Sequence, residues 1–286
     1  MRLLVLGAKG MLGQVLANEF SHANYEVAAW DRAEIDITDQ KQILEKIGAL
    51  RPDIIINAAA YNNVDRAENE DRDLAMKVNG EAVGFLKKAA ADCGALFVHY
   101  STDYVFKGDK VDGYKEDDMP NPQSWYGRSK YEGEKKILDF RFKIADFKFY
   151  LIRTSRLFGP AGAGEGAKKS FVETMLKLGK EKGELDVIDE EVSSPTYVVD
   201  LARATLDLID SGASYGIYHR TNEGVCTWYN WAKKIFELAN LSVKINPVPA
   251  SKYPRPAPRP QFSQLISTKL SPLRSWEKAL EGFLKI

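Results

Sequence analysis

The chain has 286 residues, 44% of them hydrophobic, and its 40 acidic side chains balance 40 basic ones. A net charge of zero lacks the cationic surplus by which phosphate backbones are bound, so no nucleic-acid partner is expected, and the apolar content excludes a disordered chain. Two cysteines, Cys93 and Cys226, offer neither a disulfide framework nor a metal knuckle. No run reaches the roughly eighteen apolar residues of a membrane span, and the apolar N-terminal run is too short for a signal peptide, so a cytoplasmic location is expected.

At about 150 residues per domain, the length predicts two domains or one large α/β unit with an extension. Leu3 to Leu6 reads as a strand ended by Gly7, and Met11, Leu12, Val15, Leu16 and Phe20 recur behind it at helical spacing. Tyr25 to Trp30 reads as a second strand and Asp39 to Leu50 as a helix. Asp53 to Asn57 follows as a third strand, whose contiguous isoleucines imply burial on both faces of a parallel sheet. A long helix is predicted over Asp71 to Cys93, a strand over Leu96 to Tyr100, a helix over Ser124 to Phe140 and a strand over Phe149 to Arg153. Repeated βαβ units predict an α/β fold with a doubly wound parallel (Rossmann) sheet and ligands at the carboxyl ends of its strands. After Gly159 come helical patterns at Phe171 to Gly179, Tyr197 to Asp210 and Trp228 to Ala239, with short strands at Leu185 to Ile188 and Gly216 to His219. The proline-rich stretch Pro247 to Pro260 excludes regular helix, and Ser275 to Phe283 closes as an amphipathic helix. The expected layout is an NAD(P)-binding domain over 1–159 and a smaller mixed α/β substrate domain over 160–286, with the chain crossing between them.

Chemistry concentrates in three places. Gly7, Gly10 and Gly13, with Met11 and Leu12 between them, open a helix directly after a strand; there the backbone approaches a pyrophosphate and the helix N-terminus supplies free N–H donors. Asp31 ends the second strand, where an acid would accept the ribose 2′-hydroxyl of NAD, while Arg32 would meet the 2′-phosphate of NADP. Tyr126 and Lys130 share a helix face at i and i+4, where a cation would lower the pKa of a phenol toward neutrality and let it protonate a carbonyl oxygen. Such a pair arises by chance in many helices, but Thr102, in Ser101-Thr102-Asp103-Tyr104-Val105-Phe106 at the end of the fourth strand, puts a hydroxyl at the same sheet edge. His22, His99 and His219 are isolated and read as packing or surface residues, as do Trp228, Tyr229 and Trp231. Arg255 and Arg259, in a loop stiffened by prolines, present fixed forks of donors suited to a diphosphate.

The sequence resembles the extended short-chain dehydrogenase/reductase family and, within it, the dTDP-4-dehydrorhamnose reductases. The resemblance runs nearly end to end, through Gly7 to Gly13, Asp36-Ile37-Thr38, Asn57-Ala58-Ala59-Ala60-Tyr61, Val64 to Glu68, Val78-Asn79, Ser101 to Phe106, Tyr126 to Lys130, Arg153-Thr154-Ser155, Ser194-Pro195-Thr196 and Arg255 to Pro260 with Ser263. It implies that Tyr126 donates the proton, that Lys130 lowers its pKa and holds the nicotinamide ribose, and that Thr102 orients the keto oxygen. It further implies that Asp36 and Ile37 lie beside adenine, that Ala58, Ala59, Ala60 and Asn79 lie along the cofactor, and that Tyr104 faces the sugar. The implied chemistry is reduction of dTDP-4-dehydro-L-rhamnose to dTDP-L-rhamnose by NADPH or NADH, in a chain that resembles family members able to form homodimers. Many members carry Trp where this chain has Arg156, so Arg156 is expected at the sugar or diphosphate. Some members bridge a dimer through magnesium with an acid where this chain has Gln14, and Asp189, Glu190 and Glu191 read as solvated loop acids, so no metal is expected.

Two other readings compete. Asp103 beside Thr102 keeps open a nucleotide-sugar epimerase or dehydratase of the same superfamily. A non-catalytic cofactor-binding subunit, like the reductase-like regulatory subunit of methionine adenosyltransferase, is opposed by the intact Thr102, Tyr126 and Lys130.

Overall fold

The computed structural model describes residues 1–141, 147–164 and 169–285. The chain begins β1 (Arg2–Leu6), α1 (Met11–His22), β2 (Glu26–Trp30), α2 (Gln40–Leu50), β3 (Ile54–Asn57), α3 (Val64–Glu68) and α4 (Arg72–Met76). After a π-turn at Lys77–Glu81 it continues α5 (Ala82–Cys93), β4 (Leu96–Thr102), α6 (Trp125–Arg141), β5 (Phe149–Thr154) and β6 (Leu157–Phe158). The remainder is α7 (Phe171–Glu181), β7 (Glu184–Ile188), β8 (Thr196–Tyr197), α8 (Val198–Asp210), β9 (Gly216–His219), α9 (Trp228–Leu238), β10 (Lys244–Val248) and α10 (Trp276–Leu284).

Six strands form one sheet in the order β2-β1-β3-β4-β5-β9, and every neighbouring pair is parallel. Alternation along β1 divides its side chains between two cores. Leu3 and Val5 pack with Leu16 and Phe20 of α1 and Leu201 and Ala202 of α8. Leu4 and Leu6 pack with Ile43 and Ile47 of α2, Leu86 of α5 and Ile137 of α6. Helices on both faces explain why the strands read as unbroken apolar runs. The direction of winding reverses at β1, which places the carboxyl ends of β1 and β3 at a topological switch point, where such sheets bind ligands.

A third core joins Val172 and Met175 of α7, Trp231 and Ile235 of α9 and Trp276 and Leu280 of α10. It is bordered by the two-stranded pairs β7–β10 and β6–β8. Pro247 is tolerated inside β10 because that strand pairs on one side only. Beyond residue 159 the chain also supplies β9 to the large sheet and α8 to the first core. The single helix expected over Asp71 to Cys93 is interrupted by the π-turn, where the wider coil carries Asn79 into the interior. Asn79 donates to the Tyr61 carbonyl and the Ser129 hydroxyl and accepts the Tyr61 N–H, so the interruption links β3 to α6.

Candidate active site

The glycine loop is shaped by steric necessity. Gly7 has φ +74°, and a Cβ there would stand 2.7 Å from the Ala59 nitrogen. A Cβ on Gly13 would stand 2.0 Å from the Gly7 carbonyl oxygen, so only glycine lets α1 start this close to β1. Gly10 precedes Met11 and Leu12 without a side-chain cap, leaving first-turn N–H groups of α1 free for an anion. Asp31 braces the loop, its two carboxylate oxygens accepting the N–H groups of Lys9 at 2.9 Å and Arg32 at 2.8 Å, while the Arg32 side chain is exposed. Across the loop, Ala58 N–H bonds the Leu6 carbonyl and Ala59 N–H bonds the Asn57 side chain; Ala60 continues into Tyr61, which Asn79 holds. Asp36 uses its carboxylate on the N–H and hydroxyl of Thr38, and Ile37 packs at the edge of the second core. Residues 160–164 arch over the same loop. Gly164 donates to the Lys9 carbonyl, and Gln14 donates to the carbonyls of Pro160 and Ala161. The loop, the uncapped helix and the braced acid fit a dinucleotide.

At the end of β4 the chain turns sharply, and α6 packs against that turn: a Cβ on Gly127 would stand 2.3 Å from the Tyr104 carbonyl oxygen. This close approach sets the rings of Tyr104 and Tyr126 edge to face, 5.5 Å apart. Tyr126 meets the Thr102 hydroxyl, which lowers its pKa, but burial outweighs that and the Asp103 charge adds to burial, so the phenol is pushed up to about 12. The expected lowering by Lys130 is therefore not what dominates. Lys130, 3% exposed, donates to the Tyr100 carbonyl at 2.7 Å; burial brings it down to about 8, against the opposing charge of Glu134. Burial also raises the Tyr104 phenol. Thr102, Tyr126 and Lys130 thus converge at the carboxyl edge of the sheet.

The predicted substrate arginines lie on the opposite bank. Arg156 adopts left-handed backbone, φ 44°, and its terminal nitrogens donate to the carbonyls of Cys226 and Glu191 while the guanidinium stacks 4.0 Å over Trp228. A left-handed arginine persists only when its surroundings hold it, and these contacts do. Arg255 pairs with Glu191, and Arg259 donates to Asp65 at 2.7 Å. Both line a cavity of about 380 Å³ with Tyr253, Pro258 and Gln261. The structure brings Arg255 and Arg259 to one cavity that Arg156 does not line, and each of the three has a protein partner.

Several contributors carry no local signal in the sequence. Asp65, in α3, holds the proline-rich loop through Arg259 and the Ala257 N–H. Glu191 is buried rather than solvated and accepts from Trp228 and Arg255; its neighbours Asp189 and Glu190 accept from Thr227 and Ala250. Asp103 gathers hydroxyls from Thr102, Ser155, Ser193 and Ser263, whose separation in sequence hides the cluster.

Known proteins place this geometry. The spore coat polysaccharide biosynthesis protein SpsK of Bacillus subtilis is 37% identical, the match covering 99% of this chain and 97% of that protein. A dTDP-4-dehydrorhamnose reductase of Mycolicibacterium smegmatis is also 37% identical, over 98% of this chain and 84% of its own length. Among solved structures, the dTDP-4-dehydrorhamnose reductase of Bacillus anthracis in complex with NADP superposes with a TM-score of 0.92 at 37% identity, covering 99% of this chain and 98% of that one. The profile described as RmlD substrate binding domain matches residues 1–286, and the chain belongs to that family.

Proposed function

We propose that this protein reduces the 4-keto group of a nucleotide-linked 6-deoxysugar, dTDP-4-dehydro-L-rhamnose to dTDP-L-rhamnose, with NADPH as reductant. The observation that carries the reading is the convergence of Thr102, Tyr126 and Lys130 beside a glycine loop that fits a dinucleotide. The bound nicotinamide supplies the hydride. Tyr126 donates the proton that turns the developing alkoxide into a hydroxyl, Lys130 holds positive charge behind it, and Tyr104 packs the sugar-facing side. NADPH is favoured because both Asp31 oxygens already accept backbone N–H groups, Arg32 is exposed, and the B. anthracis relative was solved with NADP.

In this reading the glycine loop, Asp31, Arg32, Asp36, Ile37, Ala58 to Ala60 and Asn79 serve the cofactor. Residues 160–286 supply most of the substrate site, with Arg156 shaping its wall and Arg255 and Arg259 exchanging carboxylate partners for the diphosphate. A homodimer and a cytoplasmic location are carried by the family resemblance; among the described residues no helix is long and apolar enough to cross a membrane. The dehydratase alternative needs Asp103 open to substrate, whereas it is buried and its carboxyl oxygens are held by four hydroxyls.

The deciding experiment supplies dTDP-4-keto-6-deoxysugars with NADPH or NADH and follows loss of reduced-nicotinamide absorbance. Turnover is expected with NADPH, and Tyr126→Phe should lower kcat by about 10² to 10⁴ while leaving NADPH affinity unchanged. Product formed without net cofactor oxidation would instead support the epimerase or dehydratase reading.

A further inference from the structure

The chain that leaves β6 runs back over the start of α1 and is tied down there. The Gln14 side-chain amide donates to the Ala161 carbonyl at 2.7 Å and to the Pro160 carbonyl at 3.2 Å, and the Gly164 N–H donates to the Lys9 carbonyl at 3.0 Å. Between these anchors Gly162 presses on the glycine loop. A Cβ on Gly162 would stand 2.8 Å from the Lys9 carbonyl oxygen, 3.0 Å from the Met11 nitrogen and 3.1 Å from the Gly10 carbonyl carbon. The Gly162 backbone lies outside the left-handed region, so it is closeness and not conformation that excludes a side chain there.

The contact falls where an anion would bind. Met11 is the first residue of α1, and its N–H has no intrahelical acceptor. A phosphate oxygen accepting it would lie roughly 2.7–3.2 Å from the nitrogen. On the side of residues 160–164 that distance is reached one covalent bond from the Gly162 Cα, so an oxygen there would overlap the backbone. One of the two must give way, and the surroundings decide which. The glycine loop is wedged, with Gly7 against Ala59 and Gly13 against the Gly7 carbonyl, and Asp31 braces it through the Lys9 N–H. Residues 160–164 include no buried side chain, with Pro160, Ala161 and Ala163 exposed, so lifting them costs little more than the hydrogen bonds that tie them.

We propose that residues 160–164 are a strap that closes the pyrophosphate site of the free protein and lifts to admit the dinucleotide, with Gln14 as its latch. The proposal rests on the reading of the glycine loop as a dinucleotide site and adds a gate to it. A ligand that binds only the open form has its affinity reduced by the fraction of molecules that are open. Loosening the latch therefore raises affinity, the opposite of what losing a contact to the cofactor would do.

The test measures NADPH binding to the full chain by stopped-flow fluorescence, without any sugar. Gln14→Ala removes two hydrogen bonds from the closed form and should raise kon and lower Kd by the same factor, at least about fivefold, with koff unchanged. Gly162→Ala sets a methyl against the Lys9 carbonyl oxygen and should act in the same direction. Hydrogen exchange supplies a second readout: the Gly164 amide, bonded to Lys9 in the free protein, should exchange faster when NADP is saturating. Unchanged kon in both variants, weaker binding in Gln14→Ala, or slower exchange at Gly164 with NADP bound overturns the strap, the last two because they would mean that residues 160–164 close over the dinucleotide instead of excluding it. If neither the wild type nor either variant binds NADPH, the cofactor reading and the strap fall together; tight binding at an unchanged rate overturns the strap alone.

Discussion

Lys130 shows how burial decides the chemistry of a single residue. Taken into the interior and bonded to the Tyr100 carbonyl, its ammonium is easier to deprotonate than in water, at about 8. Because the role proposed for Lys130 needs its protonated form, kcat/KM should hold below pH 8 and decline above it, a limb that a pH profile would show in wild type and not in Lys130→Met. His219 illustrates the opposite preference. Its Nδ1–H donates to the carbonyls of Tyr114 and Ile266, and Nε2 faces Arg153, so only the neutral ring fits; burial first and Arg153 second bring it down to about 4. Burial, with Lys130, also depresses His99. Since the unfolded chain binds these protons below about 6.5, stability is fully present above that pH and is lost as pH falls toward 4. The slope is on the order of 1 kcal/mol per pH unit per histidine. Thermal melts between pH 7 and 5 should show the fall, and His219→Gln should make it shallower.

Among the elements, α1 and α2 make a controlled pair for glycine. In Gly13→Ala the new methyl would overlap the Gly7 carbonyl oxygen, which forces α1 away from β1; NADPH affinity, read by fluorescence titration, should collapse. Gly48 in α2 has nothing within 4 Å of its Cβ position, so Gly48→Ala should raise stability by about 0.5–1 kcal/mol in chemical denaturation. Elements were the most legible level of this protein. The strands at Leu3 and Ile54 and the helix at Trp228 follow from apolar runs and helical spacing, and the boundaries moved by only a residue or two. The π-turn was not legible, because the contacts it carries, Asn79 to Tyr61 and Ser129, join segments that periodicity does not relate. The candidate site divides the same way. Thr102, Tyr126 and Lys130 stand close in sequence and announce themselves, whereas Ser155, Ser193 and Ser263 meet Asp103 only once distant segments have folded together.

At the scale of the whole molecule, a buried ion pair joins the large sheet to α6. Arg153 of β5 and Glu134 of α6, 1% and 0% exposed, form a two-pronged bond at 3.0 and 2.7 Å, with the guanidinium over the Phe106 ring. Removing one partner strands the other charge in the interior, so Arg153→Met should cost about 3–5 kcal/mol, measured by denaturant unfolding, and should cost more than replacing both residues with apolar ones of similar volume.

The late return of β9 to the sheet has a consequence for how the protein is made. A nascent chain that has emerged as far as residue 159 carries five of the six strands, but β5 still has a bare edge and α1 still lacks the cover of α8. During synthesis that unfinished sheet is an exposed template for stray pairing until residue 219 leaves the ribosome. The first 159 residues therefore do not complete their sheet alone; they wait for a piece of chain translated well after them.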